Sequence, residues 1–342
     1  MTINNPVPDH HFDHQQHAHC ESGVTANLLQ HNGISISEAM AFGIGAGIFF
    51  GHFPFIKVSG IPGTTFRIWP GYIFKRVTQR LGIKINTQKF HDPQKGMEAL
   101  DNVLAQNIPV GMLAGVYYLS YMPEAFRFHF NAHNLIAYKK EGNEYSISDP
   151  VLEHPSVIAA ADLQRARFAR GFPEPKGKMY YITETPDPET IDFKAGIKSG
   201  IKQTCFFMLS PPLNFAGTKA IHLLANKIEK YPQKLTPRQA TLYLGNIIRM
   251  QEEIGTGGGG FRFLYAAFLQ EAAEYLQRED LRKLSERYTR IGDQWRDFAY
   301  HTARIFKTRN TDVVSYTELS KLLHDIGDKE LAFFKDLKTL KW

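Results

Sequence analysis

The chain has 342 residues, 43% of them hydrophobic and 22% charged, with 18 prolines and 27 glycines. This is the make-up of a folded globular protein and excludes a disordered or collagen-like chain. Two cysteines cannot build a disulfide framework, so a reducing compartment is expected. The net charge of +6 is unevenly spread: residues 1–185 carry 16 Lys/Arg against 15 Asp/Glu, and the remainder carries 24 against 19.

In chain order, residues 24–31 read as a helix stopped by Gly33. Ser35 and Glu38 form an S-x-x-E capping pattern ahead of the apolar run Ala39–Phe50. That run is about a dozen residues long, short of the ~20 a membrane span needs, so it reads as a buried element. No basic segment followed by an apolar one opens the chain, which leads to the expectation of a cytoplasmic protein. Inside the run, Gly43-Ile44-Gly45-Ala46-Gly47 lacks the βαβ surroundings of a dinucleotide site, and close packing against the helix that follows Cys20 is expected instead.

Pro70–Leu81 and Pro93–Gln106 read as helices. Ile108–Tyr118, Asn134–Tyr138, Glu144–Ser148 and Met179–Thr183 are short, rich in Val, Ile and Tyr, and bounded by turn residues, as strands are. Glu141-Gly142-Asn143 joins the middle two into an antiparallel hairpin. Helices first and strands later is an α+β order. Prolines near Thr185–Pro188 mark a boundary, giving an expected N-terminal domain over 1–185 and a C-terminal one over 186–342. Beyond it helices are expected at 218–231, 236–254, 261–278, 280–307, 316–325 and 328–339, with Thr236-Pro237 and Asp328 as starts. The second domain is expected to be all-α, and its amphipathic helices suit a homodimer.

Chemistry concentrates around Cys20. It lies in His17-Ala18-His19-Cys20-Glu21-Ser22-Gly23, just ahead of the first helix, where the helix dipole favours a thiolate. Far along the chain, His133 opens one hairpin strand and Asp149 closes the next. Counted outward from Gly142 they lie nearly level, so their side chains can meet. An imidazole held by a carboxylate beside a thiol is how sulfur is activated, and the order Cys, His, Asp is the papain-like one. Each residue also has a plainer reading: an inert buried cysteine, a structural histidine, a turn-forming aspartate before proline. Cys205, within Thr204-Cys205-Phe206-Phe207, is assigned no role. Candidates for holding an oxyanion are the Cys20 backbone N–H with Gln15, Gln16 or His19. His10, His11, His14, His17 and His19 beside Cys20 suggest zinc, but neither CxxC nor HExxH is present, so no metal is expected.

Gly255-Thr256-Gly257-Gly258-Gly259-Gly260 lacks the ending of a P-loop. It runs into a helix with Arg262 in the first turn, which suits either an anion cradle formed by Gly257, Gly258, Gly259 and Arg262 or a hinge. From Lys194 to Arg238 there are eight basic residues against one acid. That stretch suits an acidic macromolecule or a solvated helix face. No zinc finger, recognition helix or aromatic RNA-binding signature accompanies it, so nucleic acid is not the expected partner.

His19-Cys20-Glu21-Ser22-Gly23, Ser37-Glu38, Phe42-Gly43-Ile44-Gly45, Tyr117-Tyr118-Leu119-Ser120-Tyr121, His133-Asn134 and Ser148-Asp149-Pro150 together resemble the N-terminal domain of the butirosin biosynthesis protein H family. Ile254–Glu274 resembles the helical domain of unassigned role that follows it there. The resemblance implies a papain-like N-terminal fold and a thiol acyltransferase, in which an acyl carrier protein donates to a small-molecule amine through a Cys20 acyl-enzyme. Cys20 is then the nucleophile, His133 the base and acid, and Asp149 the orienting carboxylate. Tyr118 and Tyr121 are expected at the substrate, with Ser120 standing where the family pattern has proline. The phosphopantetheine arm of the carrier is a substrate, and no cofactor is expected. The same triad serves a peptidase, amidase or thioesterase when water is the acceptor, and a binding protein with an incidental cysteine is the reading without chemistry.

Overall fold

A computed structural model of the chain describes residues 12–58, 60–211, 213–308 and 313–342. In order, it runs through α1 (Cys20–His31), α2 (Glu38–Ile44), β1 (Ile48–Val58), β2 (Ile61–Arg67), α3 (Tyr72–Arg80), β3 (Lys84–Gln88), α4 (Pro93–Leu104) and β4 (Val110–Ala114). There follow β5 (His133–Glu141), β6 (Glu144–Ser148), β7 (Ser156–Ala159), α5 (Ala160–Arg167) and β8 (Met179–Glu184). The remainder is helical: α6 (Phe193–Leu209), α7 (Thr218–Glu229), α8 (Tyr231–Lys234), α9 (Pro237–Ile248), α10 (Arg262–Leu276), α11 (Glu279–Thr308) and α12 (Val313–Lys338).

Two compact units share these elements. One contains the chain up to Glu38 together with Leu81–Ile191; the other contains Ala39–Arg80 and Asp192–Trp342. The break at Ile191 lies near the one expected at 185. The grouping differs for Ala39–Arg80, which packs with the C-terminal helices although it precedes most of the sheet in sequence.

The first unit is built on an antiparallel sheet of order β3-β8-β4-β5-β6-β7. Its apolar core lies between the sheet and helices α4 and α5, with Leu100, Val110, Met112, Leu135, Ile147, Leu163 and Met179 all buried. Helix α1 packs on β5, and every residue from Cys20 to Leu29 is buried. A helix buried all round has no amphipathic stripe. That is why its first turn escapes a periodicity reading that starts at residue 24. The β5–β6 hairpin pairs Glu141 with Glu144 and Ile136 with Ser148, with a bulge between Ala137 and Lys139. The result is an α+β arrangement in which the helix that begins at Cys20 lies against an antiparallel sheet.

In the second unit the glycine pattern has other partners than the Cys20 helix. A Cβ at Gly43 would stand 2.0 Å from the Phe268 ring, and one at Gly45 would stand 2.8 Å from Ile73. Across α6, a Cβ at Gly200 would meet the Gly43 carbonyl at 2.4 Å, so α2 and α6 touch backbone to backbone. Ala39–Phe50 is accordingly two elements, a helix and the start of a strand, divided where Ala46 takes φ +51°. The helices expected at 316–325 and 328–339 are one, α12. Asp328 starts nothing, because buried Leu323, Ile326, Phe333 and Phe334 carry the packing straight through it.

Candidate active site

The turn before α1 is fixed from two sides. His19 is its N-cap, with extended backbone (φ −121°, ψ 129°) and Nδ1 accepting from the Ser22 N–H. The Glu38 carboxylate, arriving from α2, accepts from the N–H of His19 at 2.7 Å and of Ala18 at 3.0 Å, and from the Ser22 hydroxyl at 3.1 Å. Glu38 was expected to cap its own helix; instead it braces the backbone that presents Cys20. On the next turn of α1, a Cβ at Gly23 would lie 2.7 Å from Pro150 Cβ and 2.8 Å from His17 Cβ. Only glycine lets the helix approach the chain after Asp149 this closely. The N–H of His17 donates to the Pro150 carbonyl at 2.6 Å, and the His14 ring bridges Ser148 Oγ at 2.8 Å and the Leu152 carbonyl at 3.0 Å.

These restraints bring residues 20, 133 and 149 together. His133 Nε2 donates to Asp149 Oδ2 at 2.7 Å. Cys20, His133 and Asp149 are 8%, 5% and 0% exposed. Burial alone would lower the imidazole pKa. The Asp149 charge and hydrogen bond, followed by a hydrogen bond with Cys20, outweigh it and raise the value to about 10. The imidazole is thus bonded to the carboxylate through Nε2 and also hydrogen-bonded to the Cys20 thiol. A thiolate–imidazolium pair is the charge distribution this arrangement favours.

Asp149 has further partners. The Tyr121 hydroxyl donates to Oδ2 at 2.8 Å and the Val151 N–H to Oδ1 at 3.3 Å. Tyr121 was expected at the substrate; its hydroxyl is engaged by the carboxylate that orients His133. Tyr118 is part of the wall of a shallow cavity whose other residues include Pro93, Gln164 and Phe168. Ser120 hydrogen-bonds the Asp162 side chain. Gln15 and Gln16 are exposed, and it is the Gln15 carbonyl that is engaged, accepting from Asn27 Nδ2 at 3.0 Å. The His19 ring is turned to Ser22, 2.8 Å away. His10 and His11 lie outside the described residues, and among those described no group of three His, Cys, Asp or Glu side chains is arranged to hold a metal ion.

The glycine run is committed internally. The Gly259 N–H donates to the Glu252 carboxylate at 3.1 Å, and the Gly258 N–H to Thr256 Oγ1 at 3.0 Å. Arg262 is wholly buried, with Nε donating to Glu330 Oε1 at 2.8 Å and Nη1 to the Gly260 carbonyl at 2.7 Å. Gly257 to Gly260 all take positive φ, so the run serves as a left-handed turn. The chain's own Glu252 occupies the place expected for a ligand anion. Cys205 is buried, and burial pushes its thiol up to about 12, which leaves it unreactive at neutral pH.

Residues 19–150 match the family model described as butirosin biosynthesis protein H, N-terminal, and residues 161–337 match that of a domain of unknown function, DUF4872. The second match spans just over half of the chain, which therefore belongs to the family of that domain of unknown function; over residues 19–150 the chain is similar to the N-terminal domain of butirosin biosynthesis protein H. The matched region 19–150 contains Cys20, His133 and Asp149, and it also takes in Ala39–Arg80, which folds with the second unit. No curated protein matches the chain. Among solved structures, a Bacillus anthracis protein described as a C39-like peptidase is similar at 13% identity and a TM-score of 0.37, covering 52% of this chain and 97% of its own. No helix among the described residues is long and apolar enough to cross a membrane.

Two contributors escaped the sequence reading. Glu38 sits in a recognisable capping pattern, but its target is remote in sequence. Asn134 directs Nδ2 at Cys20 Sγ from 3.9 Å; the His133-Asn134 pair was visible, the direction of the amide was not.

Proposed function

We propose that the protein is a thiol acyltransferase that takes an acyl or aminoacyl group from the thioester of an acyl carrier protein and delivers it to a small-molecule amine. The observation that carries this reading is the buried Cys20–His133–Asp149 constellation in a region similar to the N-terminal domain of butirosin biosynthesis protein H. In the first half-reaction the Cys20 thiolate attacks the thioester carbonyl, and the bond from carbon to the phosphopantetheine sulfur breaks. The departing sulfur takes the proton that His133 holds. Both sulfurs are comparable leaving groups, so exchange between thioesters costs little. In the second half-reaction an amine attacks the acyl-enzyme, His133 accepts its proton, and the Cys20–carbon bond breaks to leave an amide. The Cys20 backbone N–H, at the start of α1 where the helix dipole favours negative charge, is the donor assigned to the oxyanion.

The carrier side is supported by charge. Lys194, Lys198, Lys202, Lys219, Lys227, Lys230, Lys234 and Arg238 are all exposed, and an exposed cationic stretch recruits an acidic carrier. The test is intact-mass analysis after mixing the protein with an acyl-carrier thioester. A single acyl adduct on Cys20, discharged faster with an amine than in buffer, is the expected result. Rapid discharge by water alone, unchanged by any amine, would make the protein a hydrolase; no adduct at all would remove the thiol mechanism.

A further inference from the structure

Asn134 is wholly buried beside the reacting sulfur, where an apolar side chain would pack at no polar cost. Its amide is oriented by three neighbours. The Tyr180 hydroxyl donates to Oδ1 at 2.7 Å, Nδ2 donates to the Ala132 carbonyl at 3.4 Å, and Nδ2 also points at Cys20 Sγ at 3.9 Å. The opposite orientation would set Oδ1 against a carbonyl oxygen and a sulfur lone pair, so the chemistry of the neighbours decides which way the amide faces. Tyr180 is itself held. It pairs with Gly111 across β4 and β8, and a Cβ at Gly111 would stand 2.3 Å from the Tyr180 ring. A glycine in the middle of a strand costs stability, and here it makes room for the phenol that aims the amide.

We infer that Asn134 is a catalytic residue that donates an N–H to the Cys20 thiolate, and that Tyr180 is the positioning residue that aims it. The inference rests on the reading of Cys20 as the nucleophile. A donor to sulfur stabilises the charged form and not the thiol, so it lowers the pH at which the Cys20 proton passes to His133. Because Asn134 is buried, it acts on the sulfur both when the thiolate attacks and when it is expelled. Among the described residues, the ionisable groups about this site include His133 with Asp149 and Tyr121 behind it, His17, His19, Glu21 and Glu38 about the helix start, and Tyr180 behind Asn134.

The experiment is the pH dependence of iodoacetamide alkylation, read by peptide mass on the full chain, with Cys205 as the internal slow reference. In Asn134→Leu the acidic midpoint of Cys20 alkylation rises by roughly one pH unit, and in Tyr180→Phe by about half that. Circular dichroism accompanies each variant, and if Asn134→Leu does not fold, Tyr180→Phe decides alone. A purely structural role would lower stability and leave the midpoint in place. Fast wild-type alkylation with unmoved midpoints in the folded variants overturns the role of Asn134 while leaving the nucleophile intact. Wild-type alkylation of Cys20 no faster than that of Cys205 overturns both.

Discussion

His133 is drawn in opposite directions, by burial that favours its neutral form and by Asp149 and Cys20, which favour its cation; the cation wins. Its folded pKa of about 10 lies above the ordinary 6.5, so the folded protein holds a proton that the unfolded chain releases between those values. The stability this supplies is complete below pH 6.5 and is lost as pH rises through 10. Urea unfolding from pH 6 to 10 should show the wild type losing stability relative to His133→Gln; a constant difference across that range contradicts the assignment. Cys20→Ala and His133→Ala should abolish turnover with the fold intact, and Asp149→Asn should cost on the order of 10³–10⁴-fold in kcat, as when a triad loses its orienting carboxylate. Wild-type-like activity in Cys20→Ser would end the thiol mechanism. These three residues were legible because their chemistry is distinctive and their motifs are local. Tyr121 was legible as a member of the pattern but not in its role, since its bond to Asp149 crosses 28 residues.

Helix α1 presents its cysteine because other segments brace its start. Glu38 receives two backbone N–H groups and one hydroxyl there, bonds to a charged acceptor that are each worth roughly 1.5–3 kcal/mol. Glu38→Ala should therefore lower stability by a few kcal/mol, measured by urea titration, and slow Cys20 alkylation; an unaltered alkylation rate would mean that the turn holds its shape unaided. Gly23→Ala meets Pro150 and His17 within 2.8 Å, and overpacking of that kind costs about 1–3 kcal/mol. Strand edges and hairpins were largely readable: Glu144–Ser148 stands where expected, and Asn134–Tyr138 extends to His133–Glu141. The strand expected at Ile108–Tyr118 is shorter, ending at Ala114, with a 3-10 turn over Val116–Tyr118. The first turn of α1, which has no one-sided pattern, and the division of Ala39–Phe50, interrupted by close-packed glycines, were not readable, because periodicity reports a single buried face and these bury several.

At the scale of the molecule, the second unit depends on a buried ion pair where a ligand site had been expected. Arg262 and Glu330 are both 0% exposed, and Trp295 Nε1 donates to the same carboxylate at 2.8 Å. Glu330→Ala should cost about 3–5 kcal/mol, because it leaves a guanidinium buried without its counter-charge. Differential scanning fluorimetry with phosphate or pyrophosphate should show no specific rise in Tm, since Gly259 is already engaged by Glu252; a saturable rise lost in Gly258→Ala would restore the anion site. Charge reversal of Lys194, Lys198 and Lys202 should raise KM for a carrier-borne thioester and leave kcat for a small soluble thioester unchanged.

From residue types and their spacing alone came the α+β class, the antiparallel hairpin, the helical second half and the three residues of the candidate site, because each of these is written in local pattern or in scarce chemistry. The tertiary structure alone decided that Glu38 serves the Cys20 turn, that Asn134 faces the sulfur, that Arg262 is neutralised from within, and that Ala39–Arg80 folds with the C-terminal helices. Each of those outcomes depends on which distant segment reaches a polar group first. Burial forces every such group to find a partner, but no stretch of sequence specifies by itself which partner arrives.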